Sequence, residues 1–216
     1  MLALRTKDDQ HISAYRAGEG NSRGLILLQE IFGVNDHIRE TADHFASLGY
    51  DVVAPALFDR AEPNVELDYS SDSVQRGLAL RAQIPLEHTL LDIDAAIQAL
   101  GGKPAVIVGY CWGGALAWQA ACKLEGLKAA SCWYPGGIGK AKDLTPRVPV
   151  QVHFGKTDAS IPMDEVAEFQ QAQPNVETYL YDAGHGFGCE PRPSFNRQAY
   201  ELAQERTLAF FSRHLG

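Results

Sequence analysis

One cysteine stands in a sequence context that could make its sulfur a nucleophile. The run 106–115 begins with β-branched residues and continues as Gly-Tyr-Cys-Trp-Gly-Gly, in which the cysteine is Cys111. This pattern is typical of a strand that turns sharply into a helix and carries a nucleophile, usually serine, at the turn. Glycines fit such a strained turn, and a helix N-terminus favours negative charge on sulfur. The alternative is a small buried cysteine without chemistry.

Two further residues follow strand-like runs and could activate a thiol. Asp158 comes after the apolar run that ends at Phe154, and His185 comes after the run that ends at Tyr181. Functional side chains of parallel sheets gather at the carboxyl ends of the strands. The chain order nucleophile, acid, histidine is that of α/β hydrolases, so we predict a catalytic set of these two residues and Cys111. A turn or capping role is the alternative for Asp158.

Glu30 is the fourth candidate, because it ends the apolar run 25–30. A continuous apolar run of this kind indicates a strand buried on both faces, whose carboxyl end lies at the same sheet edge as the other candidates. A functional carboxylate and a solvated strand end both remain open for this residue.

Composition limits the classes of protein that fit. The chain has 216 residues, of which 45% are hydrophobic and 21% charged, as in a globular protein with one α/β domain over residues 1–216. The net charge of −8 disfavours nucleic acid as a partner. The four cysteines form no C-x-x-C pair, which indicates reduced thiols.

The N-terminal residues indicate the cellular location that we expect for the protein. They become charged at Arg5 and contain no long apolar run, so we expect neither a signal peptide nor a membrane partner, and a cytoplasmic location. No cluster of His, Cys and acidic residues has metal-ligand spacing, and we predict no metal and no other cofactor.

Helical and strand-like patterns alternate along the chain. Apolar residues fall on one helical face from Ile38 to Leu48, after a cap at Asp36, and again from Leu90 to Leu100. Further helices are predicted over 72–83, after the cysteine turn, from Pro162 and from near Ser194; strands are predicted over 10–17, 25–30, 51–57, 104–110, 128–134, 148–154 and 177–181. The alternation predicts a mostly parallel, doubly wound sheet with helices on both faces.

Several motifs together resemble the dienelactone hydrolases (carboxymethylenebutenolidases). They are Glu-Ile-Phe-Gly-Val-Asn from residue 30, the cysteine turn, Gly-x-x-Asp158, and Ala-Gly-His185-x-Phe187. The resemblance extends over nearly the whole chain. It implies an α/β-hydrolase fold without a large cap domain, a Cys111–His185–Asp158 triad, and hydrolysis of a small ester or lactone through a cysteine thioester.

The resemblance also implies roles for the neighbours of the triad. Glu30 would hold the resting thiol poised and take its proton when substrate displaces the carboxylate. The backbone N–H groups of Ile31 and Trp112 would form the oxyanion hole. Tyr134 and Phe187 match family positions near the substrate.

The chain departs from the family where the substrate's carboxylate is bound. The family uses two arginines; Arg76 matches the first, and Cys189 stands at the position of the second. Leu80 and Gln83 replace aromatic residues of the pocket. We therefore expect weak activity on dienelactone and better relative activity on neutral esters or on a differently shaped lactone, unless Arg192 supplies the missing cation. A surface role is the alternative for Arg76.

Two other functions remain open. A flavodoxin-like protein of the amidotransferase type also carries a cysteine turn, but its histidine is followed by x-Glu, whereas His185 is followed by Gly186 and Phe187. A non-catalytic binding protein on a hydrolase scaffold is the second alternative. The expected partner is a small ester or lactone; the sequence is compatible with a monomer and does not define the oligomeric state.

Overall fold

An eight-stranded sheet forms the centre of the computed structural model, which describes residues 1–215. The strands are β1 (Leu2–Arg5), β2 (His11–Ala17), β3 (Arg23–Leu28), β4 (Tyr50–Pro55), β5 (Ala105–Tyr110), β6 (Leu127–Trp133), β7 (Val150–Gly155) and β8 (Glu177–Tyr181). Their order across the sheet is β1-β2-β4-β3-β5-β6-β7-β8. Strand β2 pairs antiparallel with β1 and β4, and the other pairs are parallel.

Six α-helices alternate with these strands. They are α1 (Asp36–Ser47), α2 (Ser71–Arg81), α3 (Leu86–Ala99), α4 (Trp112–Lys123), α5 (Met163–Ala172) and α6 (Arg197–Leu215), and single 3₁₀ turns cover Leu57–Arg60 and Ile138–Ala141. This arrangement confirms the predicted α/β fold with a mostly parallel sheet. None of the helices within residues 1–215 combines the length and apolar character needed to cross a bilayer.

The central strands are apolar because they are covered on both faces. In β3, Leu25 to Leu28 have no exposed surface, and all residues of β5 are buried. Continuous β-branched and leucine runs are typical of such strands, since neither face of the sheet meets water. The edge strand β8 is only half-buried over most of its length. The strongest sequence patterns therefore mark the middle of the sheet.

Helix starts differ from the prediction by a few residues. Asn35 caps α1 in place of Asp36, because its Oδ1 accepts the N–H of Ile38 at 3.3 Å. Helix α6 begins at Arg197 rather than near Ser194, and Asn196 Oδ1 accepts the N–H of Ala199 at 3.0 Å. An asparagine side chain can satisfy the free N–H groups of the first helical turn. Strand β1 is an element that the sequence patterns did not indicate.

Candidate active site

Cys111 lies in the sharp turn between β5 and α4. Its backbone has φ 55° and ψ −113°, a left-handed conformation that only glycine adopts without strain. A Cβ at Gly109 would come within 2.0 Å of the Gly113 carbonyl oxygen, and one at Gly113 within 2.5 Å of the Gln29 carbonyl oxygen. Both glycines are therefore required by the close approach of the turn to its surroundings. The turn leaves Cys111 partly exposed.

Cys111, His185 and Asp158 lie within hydrogen-bonding distance of one another in series. His185 Nε2 is 3.1 Å from Cys111 Sγ, and His185 Nδ1 is 2.7 Å from Asp158 Oδ2. The Asp158 side chain has no exposed surface, and its other oxygen accepts the N–H of Ser160 at 2.7 Å. A carboxylate fixed in this way orients the imidazole toward the sulfur.

The surroundings of His185 favour its charged form. Burial by itself would lower the pKa of the imidazole, but the hydrogen bonds to Asp158 and Cys111 outweigh burial and raise the pKa to about 10. The imidazole is therefore protonated at neutral pH. A positive charge next to Sγ stabilises negative charge on the sulfur, which is the form that attacks carbonyl carbon.

Two backbone N–H groups beside Cys111 are available to a ligand. Ile31 follows β3 and Trp112 is the first residue of α4; within residues 1–215 neither N–H donates a hydrogen bond. Helix α2 fixes the position of Ile31, because a Cβ at Gly77 would lie 2.0 Å from the Ile31 carbonyl oxygen. Free N–H groups held next to a nucleophile can stabilise a developing oxyanion.

Glu30 forms an ion pair with Arg192 and no hydrogen bond with Cys111 among the residues described. The distance from Arg192 Nη1 to Glu30 Oε1 is 3.1 Å, and the Glu30 side chain is 2% exposed. The Arg192 guanidinium also lies over the Phe32 ring, 5.7 Å from its centroid. A Cβ at Gly186 would come within 2.5 Å of Arg192 Nη1. Arg192 therefore lies directly beside the residue that follows His185.

A cavity of about 370 Å³ opens above Cys111 and His185. Ile31, Phe32, Val74 and Leu78 supply apolar walls, and the cations lining it are Arg81, Lys140 and Arg192. No carboxylate other than that of Glu30 pairs with these cations within residues 1–215. A cavity lined in this way can hold a small anion with an apolar body.

The arginine of α2 that lines this cavity is Arg81, whereas Arg76, which the sequence analysis named, lies outside it. Arg76 is exposed, pairs with Glu62 and does not line the cavity. The helical repeat explains the difference, since Val74, Leu78 and Arg81 share one face of α2, whereas Arg76 points away from it. Matching this chain to the family by sequence position did not indicate which face of α2 lines the cavity.

The other residues predicted to bind substrate do not line the cavity either. Leu80 is buried, and Gln83 is exposed with its Nε2 donating to the Ala79 carbonyl. Leu80 packs inside the protein because it lies on the inner face of α2. Gln83 lies beyond the end of the helix.

Tyr134, Phe187 and Cys189 form the layer behind the site. All are fully buried, and the ring centroid of Tyr134 is 5.3 Å from that of His185 and 5.2 Å from that of Phe187. Burial, with the nearby Glu30 carboxylate, raises the pKa of the Cys189 thiol far above its usual range. These side chains support the triad histidine and Glu30 rather than facing the cavity.

Lys140 and Ser160 are lining residues that the sequence analysis did not name, and Arg192 was named only as a possible replacement cation. Lys140 lies in the 3₁₀ turn Ile138–Ala141, and Arg192 lies in the irregular segment before α6. Neither segment has a periodic pattern from which a cavity-facing side chain could be read. The sequence pattern closest to Arg192 that indicated a functional site was the stretch Gly-His185-Gly.

Comparison with known proteins identifies the family of the chain. A model of the Dienelactone hydrolase family matches residues 12–215. The chain is 31% identical to a carboxymethylenebutenolidase of Pseudomonas sp. (strain P51), over 98% of this chain and 94% of the relative. It is 32% identical to carboxymethylenebutenolidase 1 of Cupriavidus pinatubonensis, over 85% and 83% of the two chains.

Solved structures show the same similarity in three dimensions. The crystal structure of an inferred dienelactone hydrolase from Klebsiella pneumoniae superposes with a TM-score of 0.83 at 28% identity, covering 97% of this chain and 96% of the other. The Pyrococcus furiosus esterase Pf2001, at 16% identity and a TM-score of 0.73, shares the fold.

Proposed function

The chain belongs to the dienelactone hydrolase family and is a hydrolase of that type, and we propose that it cleaves a small carboxylate-bearing ester or lactone through a thioester on Cys111. The observation that carries the proposal is the series of contacts from Cys111 Sγ to His185 Nε2 at 3.1 Å and from His185 Nδ1 to Asp158 Oδ2 at 2.7 Å. No cofactor takes part in the proposed reaction.

Acylation begins with attack of the Cys111 sulfur on the carbonyl carbon. The carbonyl π electrons move to oxygen, and the N–H groups of Ile31 and Trp112 donate to the resulting oxyanion. The intermediate collapses by re-forming the C=O bond and breaking the bond to the leaving oxygen. His185 Nε2 gives its proton to that oxygen. The products of this half-reaction are a thioester on Cys111 and an alcohol, or a hydroxyl that stays attached when the substrate is a lactone.

Deacylation runs through the same groups with water as the nucleophile. His185 Nε2 takes a proton from the water, whose oxygen attacks the thioester carbonyl. The C–S bond breaks, the sulfur leaves as thiolate next to the imidazolium, and the carboxylic acid is released. One ester bond and one water are consumed, and the enzyme returns to its starting state. Asp158 keeps the imidazole oriented in both half-reactions.

The cations of the cavity favour an anionic substrate over a neutral one. The expectation of a neutral substrate depended on a missing second cation, whereas Arg81, Lys140 and Arg192 line the cavity. We propose that Arg192 and Arg81 bind the substrate's carboxylate. A substrate carboxylate that draws Arg192 away would leave Glu30 without its partner. The family resemblance gives Glu30 the proton of a resting thiol, whereas the reaction proposed here starts from thiolate and imidazolium and does not need that transfer.

The test is a burst experiment with the p-nitrophenyl monoester of succinic acid. We expect a nitrophenolate burst equal to the number of active sites and a succinyl adduct on Cys111 by mass spectrometry. The burst should vanish in Cys111→Ala and after alkylation of Cys111. Cys122→Ala is the matched control, because Cys122 is buried on α4 away from the cavity. Turnover retained by Cys111→Ala would refute the proposal, and binding without turnover would favour the non-catalytic alternative.

A further inference from the structure

Two polar side chains of the cavity above Cys111 take no part in the reaction described so far. They are Lys140, in the 3₁₀ turn that follows β6, and Ser160, in the loop that follows β7. The substrate's carboxylate has its own cations in Arg81 and Arg192. An ammonium and a hydroxyl therefore remain for another part of the ligand.

The turn that carries Lys140 is fixed by its neighbours. Ile138 is buried, with only 1% of its surface exposed. The N–H of Gly139 donates to Glu165 Oε1 at 3.1 Å, and a Cβ at Gly139 would come within 2.7 Å of the Glu165 side chain. The backbone beside Lys140 is therefore held against α5. The position of its ammonium group varies only with the torsions of its own side chain.

Lys140 has no carboxylate partner within residues 1–215, although three acids line the groove beside it. These acids are Asp164, Glu165 and Glu168. The Oδ1 atom of Asp164 accepts the N–H of Glu165 at 2.9 Å, and Glu165 in turn accepts from the 3₁₀ turn. Glu168 pairs with Lys142. Each acid has another partner, so the charge of Lys140 is available to an anion in the cavity.

The sheet order places Lys140 and Ser160 on the side of Cys111 toward which the alcohol half of an ester extends. Neighbouring strands follow the order β3-β5-β6-β7-β8, and Cys111 follows β5. Ile31, whose N–H faces the oxyanion in the proposed reaction, follows β3 on one side. Lys140, Ser160 and His185 follow β6, β7 and β8 on the other. The leaving oxygen must lie on that second side, because it takes its proton from His185 Nε2.

We propose that Lys140 and Ser160 bind a second carboxylate, which the alcohol half of the substrate carries. The inference rests on the proposed function. The first carboxylate belongs to the opposite side of the cavity, because Arg192 pairs with Glu30 just after β3. An ammonium and a hydroxyl can both donate to one carboxylate. The substrate is then an ester with a carboxylate on each side of the ester bond, and its hydrolysis with one water gives a dicarboxylic acid and a hydroxy acid.

The experiment compares monoesters of succinic acid that differ only at the end of the alcohol, which is 3-carboxypropyl or its neutral analogue 3-carbamoylpropyl. We expect kcat/KM to be about three- to tenfold higher for the carboxylate, since Lys140 is exposed and its contact partly solvated. The longer pair, 4-carboxybutyl and 4-carbamoylbutyl, tests the reach of the subsite. Equal values within both pairs of hydrolysed esters would overturn the proposal and leave the proposed function intact.

Two variants locate the effect. Lys140→Gln should bring the ratio of carboxylate to amide ester to about one, because the ammonium is lost. Ser160→Ala should lower the ratio about two- to threefold, the worth of one exposed hydrogen bond. Lys156→Gln is the matched control and should keep the ratio, because Lys156 follows β7 at the same end of the sheet, pairs with Asp182 and does not line the cavity. A ratio that is unchanged in Lys140→Gln, or lowered equally in Lys156→Gln, would refute the assignment.

Binding to Cys111→Ala keeps the proposal testable if none of the esters is hydrolysed. Titration calorimetry should give a Kd about three- to tenfold lower for the 3-carboxypropyl than for the 3-carbamoylpropyl ester. Adding Lys140→Gln should remove this difference, and adding Lys156→Gln should not. That result without turnover in the wild type would support the subsite and count against the proposed function. Equal dissociation constants, or no saturable binding of either ester, would refute the subsite.

Discussion

The guanidinium of Arg192 lies 3.1 Å from the carboxylate of Glu30, which is 2% exposed, while Arg192 itself reaches the cavity above Cys111. This arginine thus has an internal partner and lines the cavity at the same time. A carboxylate that enters the cavity must compete with Glu30 for it. The pair therefore connects binding of an anion in the cavity to the environment of the Glu30 carboxylate.

Arg192→Met should destabilise the fold because it leaves the Glu30 carboxylate buried without its partner. Loss of one member of a buried ion pair costs about 3 kcal/mol or more. Arg76→Met is the control, since the Arg76 and Glu62 side chains are 54% and 47% exposed, and should cost less than about 1 kcal/mol. The free energy of unfolding from urea titration measures both. Equal costs for the two variants would show that the Glu30–Arg192 pair is effectively solvated.

Arg81→Gln should reduce the preference for esters with a free carboxylate, and Arg76→Gln should not. A hydrogen bond to a charged group contributes about 1.5–3 kcal/mol, so we expect a loss of about ten- to a hundredfold in kcat/KM. The loss should be specific to methyl hemisuccinate relative to methyl butyrate, which lacks the carboxylate. An unchanged preference in Arg81→Gln, or a reduced preference in Arg76→Gln instead, would assign the contact with the substrate's carboxylate to Arg76 rather than to Arg81.

The sequence pattern predicted helix α2 but did not indicate which of its arginines lines the cavity. The pattern of residues 72–83 predicted the helix, and the structure has it at Ser71–Arg81. Which face meets the cavity depends on how Gly77 packs on the Ile31 carbonyl, a contact between distant parts of the chain. Arg192 is a similar case, because an irregular segment brings it back to Glu30. Cys111, Asp158 and His185 were easier to place, since each lies within four residues of the carboxyl end of a strand, which sets its location.

Asp158→Asn should lower the pKa of His185, which the hydrogen bonds to Asp158 and Cys111 raise to about 10 against the effect of burial. We expect an NMR titration of the His185 ring to show protonated imidazole throughout pH 6–9 in the wild type and neutral imidazole over part of that range in the variant. His153 is the internal control, because burial lowers its pKa to about 3 and it should stay neutral in both. A His185 ring that titrates near pH 6.5 in the wild type would contradict the prediction.

Protein stability should depend on pH in the matching direction. The pKa of His185 is higher in the folded state, about 10, than the ordinary 6.5 of an unfolded chain. The folded state therefore binds the proton more tightly, and the stabilisation is fully present below about pH 6.5 and is lost as pH rises to about 10. The difference in free energy of unfolding between the wild type and His185→Gln should shrink over this interval. A difference that grows with pH would show that the sign is wrong.

Cys111→Gly should stabilise the fold while abolishing catalysis, and Cys111→Ala is the control that separates backbone strain from loss of the thiol. The φ of 55° and ψ of −113° at Cys111 are the mirror image of an ordinary extended conformation, which glycine adopts freely and alanine does not. Relief of strain at such a position contributes about 1–3 kcal/mol, and the greater freedom of glycine in the unfolded chain offsets about 0.4–1 kcal/mol of that. We therefore expect Cys111→Gly to exceed Cys111→Ala in free energy of unfolding by about 1–2 kcal/mol in urea titrations.

Neither variant should show a burst with the nitrophenyl ester. If alanine were as stable as glycine, the turn would carry no strain, and the position of the nucleophile would depend on the contacts of Gly109 and Gly113 alone.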